Sequence, residues 1–218
     1  MEQIFKKISK NYCIQLCSDR GLIKSCMEIR YIVFCEEKGF EPTNNVGLET
    51  DFFDTCSVHF LVTDRQKNEN IATFRVIISD VLPVDSILER YGIEKFNHRC
   101  VEISRIAILN KYRGRASDNL SKGLFHASFY AAFILNAETI YIEVESILFY
   151  GIKSAGIHVE QLSPYFEHNG KRAIFNIDVN KVLSANFIDK NQDEKALIYR
   201  DLCDYKTLSP SFKSDQLY

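Results

Sequence analysis

Three acids crowd the stretch GLETDFFD (residues 47–54): Glu49, Asp51 and Asp54. Carboxylates at this spacing can hold and deprotonate an ammonium group, or they can simply line a solvated loop. A calcium loop fits poorly, because the ligand spacing of an EF-hand is absent. Further on, Arg75 sits inside the apolar run IATFRVIIS (71–79). A guanidinium buried in such a run needs a carboxylate partner, and the acids of 49–54 are the candidates. The run VEISRIAI (101–108) carries Glu102 and Arg105. Free α-amino groups titrate near pKa ~8, so roughly a tenth is neutral at pH 7. A base therefore need add only the usual ~10²–10⁴-fold.

Side chains alternate along a strand, so positions 102 and 105 of a regular strand point to opposite faces. The apolar parity of this run changes, however. Val101 and Ile103 are odd, whereas Ile106 and Ile108 are even. One extra residue at Ser104–Arg105, a β-bulge, produces such a slip. It lets Glu102 and Arg105 face one side and pair, and it leaves a backbone N–H without a strand partner. The alternative is a strand buried on both faces, with charges near its ends. An unpaired N–H can donate to a carbonyl oxygen that gains charge during acyl transfer. The loop Lys111-Tyr112-Arg113-Gly114-Arg115 then leads to the start of a helix, and helix N-termini favour anions. Strand, bulge, basic loop and helix together form a cradle for a thioester with a phosphate-bearing arm; a solvated basic loop is the plainer account.

The elements that must position these residues are legible in outline. Residues 19–38 are predicted helical, with Leu22, Cys26, Ile29 and Val33 on one stripe and Arg30 and Phe34 on another face. GFEPTNNVG breaks that regularity. SVHFLVT (57–63) and 71–79 read as a strand hairpin, followed by a short helix near SILERYG. After 101–108, Asp118 can cap a largely buried helix running to about 136. Its stripes are Leu120, Leu124, Ala127, Ala131, Ile134 and Phe125, Phe129, Phe133. ETIYIEVES (138–146) is a further strand, and ILFYGIKSAGI a short helix stopped by Gly156. HVEQLSPYFE and KRAIFNIDV flank His168-Asn169-Gly170, a hairpin signal, and more helix is expected over about 180–205. The order implies an α/β fold with a mixed sheet and no clear linker.

The 218 residues suit one sizeable domain, and 46% hydrophobic with 26% charged residues is ordinary for a soluble globular chain. The formal charge of −2 gives no field suited to nucleic acid. No apolar run reaches signal-peptide or membrane-span length. Seven cysteines, without CxxC spacing, argue against zinc and against a disulfide framework, so a cytoplasmic protein with reduced thiols is expected. No Ser-His-Asp set with a nucleophile elbow is visible, so a covalent acyl-enzyme is not expected.

In this order, EIRYIVFCEEKGF, ETDFFDTCSVHFLV, ATFRVI, VEISRIAILNKYRGR and EHNGKRAIFNI resemble the acyl-homoserine-lactone synthase and N-acyl amino acid synthase branch of the GNAT acyltransferases. The likeness is nearest to the exosortase-associated acyltransferases of that branch. It covers roughly residues 25–180, within one N-acyltransferase domain whose core is 19–180 and whose extension is 181–218. The resemblance implies a GNAT fold, a twisted mixed sheet flanked by helices, with a bulged strand at 101–108. It implies a polar network of Arg30, Glu49, Asp51, Asp54, Arg75, Glu102 and Arg105, with Ser104 beside it. Arg30 and Phe34 fall to the acceptor. Ile106, Ala107, Ile108, Arg113, Gly114, Arg115 and Ala116 fall to the acyl donor. The activity implied is transfer of a fatty acyl group from an acyl-carrier-protein or acyl-CoA thioester to the amine of an amino acid or similar small molecule. No metal and no permanently bound cofactor is implied.

There are departures. The homoserine-lactone synthases usually carry a Trp after the first Arg and Phe, and this chain has none. That weakens an autoinducer synthase using S-adenosylmethionine, the main alternative; a non-catalytic acyl-binding module is another. The usual pyrophosphate loop is not cleanly present in Arg113-Gly114-Arg115-Ala116, which favours an acidic carrier protein met by Lys111, Arg113, Arg115 and Lys122. Tyr150 is a candidate acid for the leaving thiolate, although a core tyrosine is the simpler expectation.

Overall fold

The computed structural model describes residues 12–114, 118–154 and 157–184. Eight strands form one mixed sheet. They are β1 (Tyr12–Leu16), β2 (Ser57–Asp64), β3 (Glu69–Ile77), β4 (Cys100–Ile108), β5 (Thr139–Glu145), β6 (Glu160–Gln161), β7 (Phe166–Glu167) and β8 (Lys171–Asp178). Their order across the sheet is β1-β2-β3-β4-β5-β8-β6, with β7 also paired to β8. Every pairing is antiparallel except that of β4 with β5.

The helices are α1 (Arg20–Arg30), α2 (Asp85–Arg90), α3 (Asp118–Ile134), α4 (Ser146–Ser154) and α5 (Val179–Ser184). Against one sheet face, Leu120, Leu124 and Ala127 of α3 pack on Phe60, Phe74, Val76, Val101 and Ile103. On the other, Ile23, Cys26, Met27 and Ile29 of α1 pack on Leu61 and Ala107. Beside them, Leu82, Val84, Ile87 and Leu88 cover Ile77, Tyr141 and Ile174. The polar network belongs to this second face.

Asp19 caps α1 by accepting from the Leu22 N–H at 3.0 Å. From Tyr31 to Glu37 the helix continues in π form, and the Lys38 N–H reaches the Val33 carbonyl, five residues back, at 3.1 Å. The expected helix therefore forms, but its second half is wound differently. Strand β1, adjoining β2, lies ahead of the expected core. HVEQLSPYFE is not one strand, because Ser163-Pro164 separates β6 from β7, and proline cannot donate to a ladder. The turn at Asn169-Gly170 forms as expected, with φ of 51° and 107°. Gly156 and most of 180–205 lie outside the described residues.

Candidate active site

Strand β4 departs from regular pairing where parity slips. Ser104 is opposite Arg75 and Ala107 opposite Thr73, so Arg105 and Ile106 together face the single residue Phe74. That two-against-one count is a β-bulge. Arg105 has φ 52°, a left-handed backbone that costs a non-glycine residue about 1–2 kcal/mol. On its other edge β4 pairs with β5 only at Cys100, Val101 and Glu102. Beyond Glu102 the strands part, and β4 backbone groups aimed that way open on a gap.

On the second face Arg30, Arg75 and Arg105 form one network with Glu49, Asp51 and Asp54. Arg30 pairs with Glu49 and grips Asp54 at 2.6 and 3.1 Å. Arg75 reaches two of the acids: Asp51 through two 2.6 Å bonds and Asp54 through one of 2.6 Å. Its Nε donates to the Ser104 hydroxyl at 2.9 Å. Arg105 donates to Glu49 at 3.0 Å, meets Asp51 at 3.1 Å and Glu41 at 3.3 Å, and lies 5.7 Å from the Phe34 ring centre. The spacing of Asp51 and Asp54 also has a local cause. They form a capping box on the 3₁₀ turn Phe52–Cys56, each accepting a backbone N–H of the other's end.

Burial alone raises the Asp51 and Asp54 carboxyls, but the neighbouring guanidinium groups outweigh it and hold both below the ordinary range. Burial likewise opposes the charge on Arg30, and Asp54 and Glu49 overcome it. Asp51 and Asp54 are thus held as anions by their guanidinium partners, which makes these two poor bases. Arg30, expected at the acceptor, is 1% exposed and is engaged by Glu49 and Asp54.

Glu102 differs. It does not pair with Arg105, although both lie on the second face. Arg105 is taken by Glu49, Asp51 and Glu41, and the Glu102 Oε2 accepts from the Val84 N–H at 3.0 Å. Burial pushes Glu102 up to about 8, while Val84 N–H and Arg75 pull the other way and Glu143 and Asp85 add to the rise. A carboxyl held there exchanges a proton near neutral pH, the property a general base needs.

Of the expected donor residues, Ala107 is buried under α1, whereas Ile106 and Ile108 are half-buried on the other core. Arg113 is occupied by the Ile108 carbonyl at 2.6 Å and by Glu37 at 2.5 Å, and Lys111 pairs with Glu69. The expected basic patch is therefore largely neutralised where it is described. Gly114 is exposed with φ 106°, which suits glycine. Arg115, Ala116 and the Lys122 side chain lie outside the described residues. Tyr150 is 67% exposed, not a core residue.

Sequence reasoning missed Glu41, Glu37 and His59. The His59 Nε2 lies 3.4 Å from the Asp54 carbonyl oxygen, and burial lowers its pKa, so it backs the network as a neutral ring. A histidine amid SVHFLVT was a visible signal; Glu37 at the end of the π-wound stretch and Glu41 in the loop after it gave none. Among the described residues no group of three or more His, Cys, Asp or Glu could hold a metal ion, and no helix is long and apolar enough to cross a membrane.

Residues 29–121 match the family model described as acetyltransferase (GNAT) domain. The AHL synthase LasI superposes with a TM-score of 0.64 at 16% identity, over 78% of this chain and 90% of that one. This is a GNAT fold. Two further GNAT-fold neighbours are similar. BjaI, a CoA-dependent acyl-homoserine lactone synthase solved with SAM and isopentyl-CoA, gives 0.62 at 15% identity over 84% and 82%. FeeM, an N-acyl amino acid synthase from uncultured soil microbes, gives 0.60 at 15% identity over 80% and 93%. No curated protein matches the chain by sequence.

Proposed function

We propose that this GNAT-fold chain is an N-acyltransferase that moves a fatty acyl group from an acyl-CoA or acyl-carrier-protein thioester to the amine of an amino acid or similar small molecule. The observation that carries this reading is the bulge at Arg105–Ile106, which lies where β4 leaves β5 and one strand residue beyond Ser104. Backbone N–H groups on that free edge of β4 are suited to an oxyanion. The thioester carbonyl sits against them. The amine attacks its carbon, a C–N bond forms and the oxygen takes the negative charge. Collapse expels the thiolate. The amine proton passes to Glu102. Arg30, Arg75 and the acids of 49–54 keep this wall rigid, and Arg105 and Phe34 present its accessible edge.

The fold neighbours include a CoA-dependent synthase and an N-acyl amino acid synthase, which supports thioester donors without choosing between CoA and carrier protein. Both donors are cytoplasmic, so the reading carries a cytoplasmic location with it. The experiment is thiol release from long-chain acyl-CoA and acyl carrier protein, with an amino acid pool or with S-adenosylmethionine. Release that requires an amino acid is expected. Release with S-adenosylmethionine, with a homoserine lactone as product, overturns the acceptor. Tight donor binding without release under any condition overturns catalysis.

A further inference from the structure

Beyond the gap and one strand past β5 stands Arg172 on β8. Arg172 is opposite Glu145, and Tyr141, Glu143 and Glu145 share the second sheet face, that of Glu102. One turn of the chain touches both arginines. Arg105 bonds Glu41, and Arg172 lies over the Phe40 ring, 5.4 Å from its centre. Phe40 and Glu41 both donate their N–H to the Phe34 carbonyl, at 2.7 and 3.2 Å. Asn169, at the β7–β8 turn, donates to the Phe40 carbonyl at 3.4 Å. The Phe40–Glu41 turn thus bridges the opening between β4 and β5, with one guanidinium under each end.

The guanidinium groups on this face are not equally satisfied. Arg30, Arg75 and Arg105 each hold carboxylates at hydrogen-bond distance. Arg172 does not: Glu143 and Glu145 stand 3.7 and 3.6 Å away, too far for a hydrogen bond. Its Nε is buried without a partner. Glu143 is engaged at 2.6 Å by His168. A buried guanidinium N–H lacking an acceptor is costly, and a planar carboxylate is the group its fork fits best.

We infer that Arg172 receives the carboxylate of the acceptor, so that this site selects amines bearing a free carboxylate over simple amines and diamines. The inference rests on the acyl-transfer reading for what the bound molecule undergoes, but not for what binds. Phe40 supplies the flat apolar support that fixes the guanidinium plane. The amine end of the acceptor then lies toward β4 and its bulge.

The test compares matched pairs, phenylalanine with phenethylamine and leucine with isopentylamine, together with 1,4-diaminobutane, in thiol release from long-chain acyl-CoA. Wild type should favour each amino acid in kcat/KM by roughly ten- to a hundred-fold, the scale of a hydrogen bond to a charged group. Arg172→Gln should lose that preference through the amino acid's KM, and Arg172→Lys should restore part of it. Thermal melts confirm that both variants fold. A wild-type preference for phenethylamine or the diamine, or an equal loss for both members of a pair in Arg172→Gln, overturns the inference. Ligand-observed NMR of phenylalanine separates the two readings. Absence of release with every amine sinks acyl transfer. In that case, phenylalanine binding that is lost in Arg172→Gln upholds Arg172, and binding that is absent or unchanged overturns it.

Discussion

Asp51 and Asp54 on one side of Arg75, and Glu102 on the other, occupy the same sheet face and are all largely withdrawn from water, yet their carboxyls are driven in opposite directions. Asp51 and Asp54 each touch a guanidinium at 2.6 Å and are held as anions. Glu102 has one backbone N–H and no guanidinium within bonding distance, and it rises to about 8. Burial pushes all three upward, most at Glu102, and the bonded guanidinium groups reverse that push at Asp51 and Asp54. One region is held charged by its cations, the other is held largely protonated by its burial.

That contrast can be broken most severely from the charged side. Arg75→Ala strands Asp51 and Asp54 without their shared cation, and should cost about 3–5 kcal/mol in chemical denaturation. In wild type the same network should lose stability only as pH falls through 3.8 and lower, since its acids are depressed from that value. Melting temperatures against pH would show the fall.

Glu102→Gln should instead leave a folded protein and lower kcat by roughly 10²–10⁴-fold. Wild-type activity should rise with pH toward about 8 as the base ionises, and the variant should lack that limb. Its stability should move the opposite way. The unfolded carboxyl ionises near 4.5 and the folded one near 8, so wild type loses stability across that interval. The melting-temperature advantage of Glu102→Gln should therefore grow from pH 4.5 to 8. A constant difference would mean that the two regions do not differ in kind.

Smaller effects sharpen the picture. Arg105→Gly and Arg105→Ala remove the same side chain, but glycine tolerates φ 52°, so it should be the more stable variant by about 1 kcal/mol in denaturant titration. Tyr150→Phe, on an exposed ring, should change the rate by no more than about twofold in steady-state assays.

The parity slip in VEISRIAI was readable because a bulge moves every later side chain to the other face, and apolar residues record that shift. Arg75 among β-branched residues announced its need for an acid. The partner of Glu102 was not readable: a backbone N–H at Val84 has no signature in residue types, and only the packed fold shows that the cation Glu102 was expected to meet is already taken. Strand β1 escaped notice because YCIQL is short and buries only Ile14 and Leu16 deeply. The link between Phe40 and Arg172 spans more than a hundred residues of chain, and no local pattern encodes it.

The π-wound stretch Tyr31–Glu37 has a consequence for how this chain tolerates change in length. It holds one residue more than an α-helical path would need. Deleting one residue there lets the ordinary i→i−4 ladder resume while the positions on either side keep their facing. Glu37 then stays beside Arg113 and the Asn110 N–H, which it binds at 2.5 and 3.2 Å. Loss of one residue in this segment should be borne more easily than an insertion, and an alignment with an uninterrupted helix requires a one-residue gap at this point.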